Sequence, residues 1–349
     1  MKLAATLMYL RWPIILTAFG LLLAFWLGLN TTSTFSGGMS FLMIGALLAV
    51  LEISLSFDNA IVNANKLNGM TPKWQRRFLT WGILIAVFGM RIIFPLVVVV
   101  VAAKIGPVAA IILAASEPQE YARIMDEAHL SVAAFGGTFL MMVSLSYFID
   151  KNKDIDWLHP VESCLRSLSS IRGFEIAIVV FTVLVFSWFL PSPDSLDFLT
   201  ASVCGLLTFL AVDYLGKLLD SEGEVGNLVA RGGLGAFLYL EVLDASFSFD
   251  GVIGAFALTQ NLFLIAIGLG IGAFYVRSLT IMLVERRTLT HFRYLEHGAF
   301  YSILALSCSM FAQSLWHVPE LFTGLIGAVL IGLSLVSSIR FNSKLKKVT

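Results

Sequence analysis

Two stretches of the sequence repeat a pattern of acids and serines that could bind a metal ion. Residues 51–59 read LEISLSFDN and residues 243–251 read LDASFSFDG, so both follow acid-x-Ser-x-Ser-Phe-Asp. They contribute four carboxylates, on Glu52, Asp58, Asp244 and Asp250. Carboxylate, amide and hydroxyl oxygens suit Mn²⁺, Mg²⁺ or Ca²⁺, and neither stretch holds a Cys or His that would favour Zn²⁺ or Cu⁺. The pattern therefore predicts a site for a hard divalent cation.

Helical spacing decides which of these side chains can face one another. Spacings of 4, 3 and 4 residues place on one face of the first helix Glu52, Ser56, Asn59 and Asn63. Asp58 lies about 120° around that helix, and Asp244 shares a face of the second helix with Ser248. If either helix unwinds at its motif, Asp58 and Asp250 could turn toward one cavity, and Gly251 favours this in the second helix.

Four carboxylates inside apolar segments need partners. Each costs roughly 2.5–3.5 kcal/mol at the centre of a spanning helix that faces lipid. Two arginines also fall in apolar runs, Arg91 in GMRIIFP and Arg277 in YVRSLTI. In a purely structural interpretation, they neutralise two acids and the other acids are protonated. We favour the alternative. Four carboxylates and two arginines leave two negative charges without a partner, and a divalent cation would neutralise them.

The composition places these motifs in a membrane protein. Of 349 residues, 58% are hydrophobic and 13% are charged, with a mean hydropathy of +0.87, which excludes a soluble globular protein. The 23 basic residues balance 23 acidic ones, so no net charge attracts nucleic acid. The three cysteines are far apart and form neither a disulfide framework nor a CxxC site.

Ten apolar runs approach the length of about 20 residues that a spanning helix needs. The predicted spans are 11–29, 39–65, 78–103, 129–149, 173–191, 195–217, 230–259, 262–284, 297–316 and 320–340. Basic residues gather in alternate loops, which are expected to face the cytoplasm together with both termini. The two longest loops each predict a short helix on the membrane surface, at residues 119–128 and 160–168.

The motifs divide this single membrane domain into two halves. Residues 1–191 form the first half, with its motif in helix 39–65, and residues 192–349 form the second, with its motif in helix 230–259. Because five spans separate the motif helices, we expect them to cross in opposite directions, as an inverted repeat. Such repeats place the substrate site near the bilayer midplane, where the halves meet.

Other residues in the spans have structural interpretations. Pro95 frees the carbonyl of Arg91, four residues earlier, and predicts a kink in the third span. Gly268-x-x-x-Gly272 predicts a close contact between helices. His297 stands alone at the start of the ninth span, and we interpret it as structural rather than as a ligand.

The chain resembles the TerC family of integral membrane proteins, named for tellurium resistance and related to LysE-type exporters. The similar segments cover most of the chain and are LEISLSFDNAIV, GMRIIFPLVV, LDASFSFDGVIGAFALT, FYVRSLTIML and FRYLEHGAF. The resemblance implies export of metal ions, chiefly manganese. By motif match it implies metal ligands at Glu52, Asp58, Asn59, Asp244 and Asp250. The expected supporting residues are Ser56, Ser248, Asn63, Arg91 and Arg277.

The second motif ends in FDG where the first ends in FDN, so Gly251 offers no amide to match Asn59. The two half-sites therefore cannot be equivalent, and the substrate could differ accordingly. The family name also suggests a tellurite pump, but a cavity lined by acids repels an oxyanion.

We expect a secondary transporter in the inner cell membrane that exports Mn²⁺ or a similar ion, and releases it when the motif acids are protonated. One alternative is a non-transporting membrane scaffold linked to metal or tellurium resistance. Another is an intramembrane aspartyl protease with Asp58 and Asp250 as its dyad, although neither motif matches GxGD. We expect no enzymatic activity, no cofactor and no nucleic acid. The expected partners are the metal substrate and the lipid bilayer, and a homodimer is left open.

Overall fold

The described part of the chain is mostly helical and contains no strand. The computed structural model describes residues 2–82, 84–151, 153, 155–171, 173–221, 233–286, 288–316, 318 and 320–348. The side chain of Asp250 lies outside this description. The α-helices are α1 (Lys2–Thr32), α2 (Phe35–Leu55), α3 (Phe57–Asn68), α4 (Pro72–Arg77), α5 (Phe94–Ala103), α6 (Pro107–Ser116), α7 (Pro118–Glu127), α8 (His129–Phe148), α9 (His159–Ser167), α10 (Phe174–Phe189), α11 (Asp194–Ser221), α12 (Leu234–Leu258), α13 (Leu262–Glu285), α14 (Thr288–His291), α15 (Leu295–Gln313) and α16 (Glu320–Val348). π-Helical stretches cover Phe78–Gly82 and Ile85–Ile93, and a 3₁₀ turn covers Leu168–Ser170.

Several helices are long and apolar enough to cross a bilayer. Six stretches of the described residues qualify, namely Met8–Thr32, Phe35–Leu55, His129–Phe148, Asp194–Leu218, Leu262–Glu285 and Gly324–Lys344. The number rises to eight if two helix pairs, bent by 105° and 109°, each form one span. The chain is therefore an all-helical, multi-pass membrane bundle. Helices lie within all ten predicted ranges where these are described, but ten spans and an inverted repeat stay predictions.

The first motif interrupts its helix and the second does not. α2 ends at Leu55 and α3 begins at Phe57, with Ser56 between them at φ −100° and ψ 17°. α12 runs without a break from Leu234 to Leu258, through the whole second motif. The break places Asp58 in the first turn of α3, where the positive end of the helix dipole favours a carboxylate.

The third predicted span is wound more widely than an α-helix where it carries Arg91. The backbone N–H of Phe94 donates to the carbonyl of Gly89, five residues earlier, at the end of the π-helical stretch Ile85–Ile93. Pro95 has no N–H to offer the Arg91 carbonyl, so regular α-helical bonding cannot continue through this point. The π-helical winding changes the direction in which Arg91 projects, and the kink at Pro95 stays a prediction.

Glycines let α13 pack closely against α2. A Cβ at Gly268 would lie 2.5 Å from the Cβ of Leu48, and one at Gly272 would lie 2.5 Å from the Cβ of Glu52. Real side chains essentially never approach this closely, so both positions require glycine. The structure thus confirms the close helix contact predicted at Gly268-x-x-x-Gly272, and the contact brings α13 against Glu52.

Short helices occupy the two loops that predicted them. α7 buries Tyr121, Ile124 and Met125. α9 differs, because its fully buried side chain is Glu162 while Val161 is exposed. An ion pair with Lys153 offsets the cost of removing this carboxylate from water.

Candidate functional site

Glu52 is a buried carboxylate held by partners from several helices. It is 3% exposed, pairs with the Arg91 guanidinium, and accepts a hydrogen bond of 3.1 Å from the Ser56 hydroxyl. Its Oε2 lies 3.0 Å from the position that a Cβ would take at Gly251. An asparagine at Gly251, as in the first motif, would press on this oxygen. Gly251 therefore leaves the Glu52 carboxylate more room than an asparagine would.

Asp58 is also buried, and its partners are a backbone amide and a serine. It is 5% exposed; its Oδ1 accepts from the backbone N–H of Asn59 at 2.8 Å and its Oδ2 from the Ser302 hydroxyl of α15 at 2.7 Å. No ion pair with Asp58 is present among the described residues. Its carboxylate therefore lies against hydrogen-bond donors rather than against a cation.

Glu52 and Asp58 line a common small cavity, which we call the acidic cavity. It has a volume of about 30 Å³, enough for one or two water molecules or an ion of that size. Its other lining residues come from both motifs and from α2, α15 and α16, and include Ser54, Leu55, Ser56, Phe247, Gly251, Ser302, Leu306, Gly324, Gly327, Ala328 and Ile331.

A much larger, half-open cavity of about 960 Å³ adjoins the acidic cavity, and we call it the vestibule. Glu52 and Gly251 line both. The other polar residues of the vestibule lie on α7, at the start of α8, just after α12 and at the end of α15. They are Gln119, Arg123, Asp126, His129, Gln260, Gln313 and Ser314. The Glu52 side chain therefore lies between the vestibule and the acidic cavity.

Asp244 lies in a separate cavity with two asparagines of α3. Its Oδ1 accepts hydrogen bonds from the Nδ2 of Asn59 and, at 3.4 Å, from the Nδ2 of Asn63. This second small cavity, also of about 30 Å³, is lined in addition by Arg91 and Arg277. We call it the amide cavity. Two adjacent residues of α3 therefore line different cavities. Asp58 lines the acidic cavity, and Asn59 lines the amide cavity.

The predicted metal ligands are thus divided rather than gathered around one point. Glu52 and Asp58 share one cavity, and Asn59 and Asp244 share the other; Asp250 cannot be placed because its side chain is not described. Across the described residues, no three His, Cys, Asp or Glu side chains form a metal-binding group. Of the supporting residues, Ser56 and Arg91 bind Glu52, whereas Asn63 and Arg277 line the amide cavity. Ser248 is buried in α12.

The sequence interpretation missed Ser302, which lines the acidic cavity, and Glu241, which lies against Gly82 of the amide cavity. Ser302 binds Asp58 but stands as a lone serine in an apolar helix, so nothing in the sequence marks it. Glu241 lies three residues before Asp244 on α12, and its Oε1 is buried against Gly82 without a hydrogen bond. The spacing of three residues puts both acids on nearly the same helix face, and this signal could have identified Glu241.

His297 takes part in a different cluster, around the loop that precedes α9. Its Nε2 donates to the Ile155 carbonyl at 2.7 Å and lies 3.5 Å from Glu162, which is paired with Lys153. These contacts agree with a structural role for His297. In the same loop, burial alone would raise the pKa of Asp156, but hydrogen bonds from His159 and Arg166 hold that pKa below its ordinary value.

The fold and the cavities define a multi-pass helical membrane protein with buried carboxylates in its interior. A family model described as "Protein of unknown function (DUF475)" matches residues 57–345, and the chain belongs to this family. No curated protein and no solved structure matches the chain.

Proposed function

We propose that the chain is a secondary transporter that exports divalent metal ions, chiefly Mn²⁺, across the cell membrane. The observation that carries this proposal is the acidic cavity. Two buried carboxylates, Glu52 and Asp58, line a space of about 30 Å³, which suits an ion without its hydration shell, beside a large vestibule. Buried acids in a membrane protein typically line an ion pathway, and oxygen ligands favour hard divalent cations.

The proposed topology has ten spans, an inverted repeat and cytoplasmic termini. The vestibule is lined by α7 and by Gln260 and Gln313, which lie in or near loops predicted to face away from the cytoplasm. The amide cavity is lined by Phe78, which directly follows a basic segment predicted to be cytoplasmic. Under this topology the vestibule would open on the outer side and the amide cavity would lie toward the cytoplasmic side, as alternating access between two repeats requires.

The five ligands implied by the TerC resemblance would have to meet in another state of the transporter. In the described arrangement Asp58 and Asp244 line different cavities. A shift of α3 relative to α12 would release the bonds that Asp244 accepts from Asn59 and Asn63 and bring the two sets closer. Protons arriving from the outer side would then compete with the metal for the carboxylates and release it.

Asp58→Asn tests this function. The purified protein in proteoliposomes is expected to carry Mn²⁺, and the variant to lose this flux, because the neutral amide cannot supply the carboxylate charge. Asp213→Asn is the matched control. Asp213 also lies on a long helix, but it is paired with Lys217 on an exposed face and lines neither small cavity.

The outcomes separate the proposal from its main alternative. Flux that is lost in Asp58→Asn and kept in Asp213→Asn supports transport through the acidic cavity. Equal flux in all three proteins overturns that route. If folded wild-type protein carries neither Mn²⁺ nor Ca²⁺, Mg²⁺ or Zn²⁺, the chain is a scaffold and its buried acids are structural.

A further inference from the structure

The short helix α4 carries three basic side chains on the surface of the molecule. Lys73, Arg76 and Arg77 are all exposed, and we call them the basic patch. Within the described part of the chain, no ion pair with an acid involves any of the three. Lys153 and Lys217, by contrast, are each paired with an acid. The basic patch therefore presents positive charge that the described residues leave uncompensated.

The other side of α4 is fixed to the bundle. Trp74 and Phe78, the residue that follows α4, pack against Phe237 of α12, with ring centroids 5.7 and 6.1 Å apart. Gln75 donates from its Nε2 to the carbonyl of Leu67 in α3, at 2.7 Å. These contacts hold α4 in place against both motif helices and keep the basic patch on the outer surface.

Exposed apolar side chains continue the helix surface beyond the basic patch. Trp81, Leu84 and Phe88 are 63%, 48% and 54% exposed, and we call them the apolar strip. Counted from Arg77, they follow at steps of four, three and four residues, which keeps them on one side of a helical segment. Exposed apolar side chains of this size on a membrane bundle face lipid, and tryptophan is favoured at the level between the tails and water.

The order of these groups matches the order of groups in a phospholipid. Four residues separate Arg77 from Trp81, about 6 Å along a helix, and the headgroup region adds about 5–7 Å to each side of the hydrocarbon core. The basic patch therefore lies at the level of the phosphates when Trp81 lies at the edge of the tails. The Arg77 guanidinium is 4.5 Å from the ring centroid of Trp74, and stacking of this kind leaves its N–H donors for phosphate oxygens.

We propose that this surface binds an anionic phospholipid of the bilayer, with the phosphate on the basic patch and an acyl chain along the apolar strip. The uncompensated charge selects an anionic headgroup over a zwitterionic one. Because α4 is bonded to α3 and packed against α12, the bound lipid stabilises the place where the two motif helices are joined. This inference does not rest on metal export.

The test is a lipid titration of the purified full-length protein in detergent, followed by native mass spectrometry. We expect wild type to bind one dioleoyl-phosphatidylglycerol at least about tenfold more tightly than dioleoyl-phosphatidylcholine. The double variant Lys73→Gln/Arg76→Gln should bind phosphatidylglycerol about thirtyfold more weakly, because each basic residue near an anionic headgroup contributes about fivefold. Trp81→Ala should weaken the binding of both lipids, since it shortens the apolar strip.

The matched control is Lys217→Gln/Arg293→Gln, which removes two other exposed positive charges. Lys217 is paired with Asp213, and the Arg293 guanidinium lies 4.8 Å from the ring centroid of Phe341. Neither residue adjoins the apolar strip in the sequence, so this variant should keep the affinity of wild type for phosphatidylglycerol. Thermal unfolding and size-exclusion profiles establish that all variants are folded.

The results decide the assignment in either direction. Loss of phosphatidylglycerol in the basic-patch variant and in Trp81→Ala, with retention in the control, supports it. Equal affinity for the two lipids overturns it, as does an equal loss in both double variants, which would mean attraction by overall charge alone. Displacement of the lipid by inorganic phosphate also overturns it and assigns the patch to a free anion. Because no transport is measured, a failure of the proposed export leaves these outcomes unchanged.

Discussion

At the scale of single residues, the space around Glu52 is created by residues that have no side chain. Gly272 on one side and Gly251 on the other allow the carboxylate to reach both Arg91 and the acidic cavity. The arginine stabilises the charge while the glycines fix its place. A buried ion pair of this kind tolerates little displacement, since a separated partner would be left as an unpaired buried charge.

Gly272→Ala tests this arrangement. The new methyl group would overlap the Glu52 side chain, so the variant should lose about 1–3 kcal/mol of stability together with Mn²⁺ transport. Gly332→Ala makes the same change in α16, where a Cβ would contact nothing within 4 Å, and should be neutral or stabilising by up to about 1 kcal/mol. Thermal unfolding in detergent measures both, and equal melting temperatures would show that Glu52 can move aside freely.

The sequence predicted some of these residues and missed others for physical reasons. Acids and arginines stand out in an apolar chain because each needs a partner, so Glu52 and Arg91 were identifiable separately. Their pairing depends on the π-helical winding near Pro95 and on the approach of α13, and neither follows from spacing along one helix. Ser302 was missed because a lone serine can satisfy its hydroxyl within its own helix, which many serines here do.

At the scale of elements, α9 shows how a short helix is attached to the bundle. Glu162 accepts from the backbone N–H groups of Trp157 and Leu158, at 3.1 and 3.0 Å, and pairs with Lys153. One carboxylate therefore caps the helix and anchors its loop. Glu162, rather than its neighbour Val161, is the side chain of α9 that turns inward.

Glu162→Ala should release this element. The substitution leaves Lys153, 9% exposed, without its carboxylate partner, and breaking a buried pair costs about 3–5 kcal/mol. We expect faster hydrogen exchange across residues 155–167. Glu120→Ala breaks a pair with Arg123 in which the side chains are 41% and 57% exposed, and should change exchange in α7 little, because solvent screens such pairs. Similar exchange in Glu162→Ala and wild type would refute the anchoring role.

At the scale of the whole molecule, transport through this bundle requires that α12 cross the membrane. α12 carries three acids, Glu241, Asp244 and Asp250, more than a lipid-facing span normally tolerates. Asp244 is stabilised by the amides of α3, and Glu241 lies against Gly82. Both acids therefore have protein contacts, and an acidic helix that packs against other helices can still span the membrane.

Labelling of single cysteines with a membrane-impermeant maleimide tests this topology. A cysteine replacing Gln260, just after α12, should be labelled from outside the cell, and one replacing Lys217, before α12, only in inverted vesicles. The span α8 supplies the control pair. One cysteine replaces Gln119, before α8, and the other is the native Cys164, which is exposed and lies after α8. Opposite sidedness of this control pair validates the assay. Labelling of both α12 positions from one side would then exclude α12 as a span, and the inverted repeat with it, because the two motif helices could no longer cross in opposite directions.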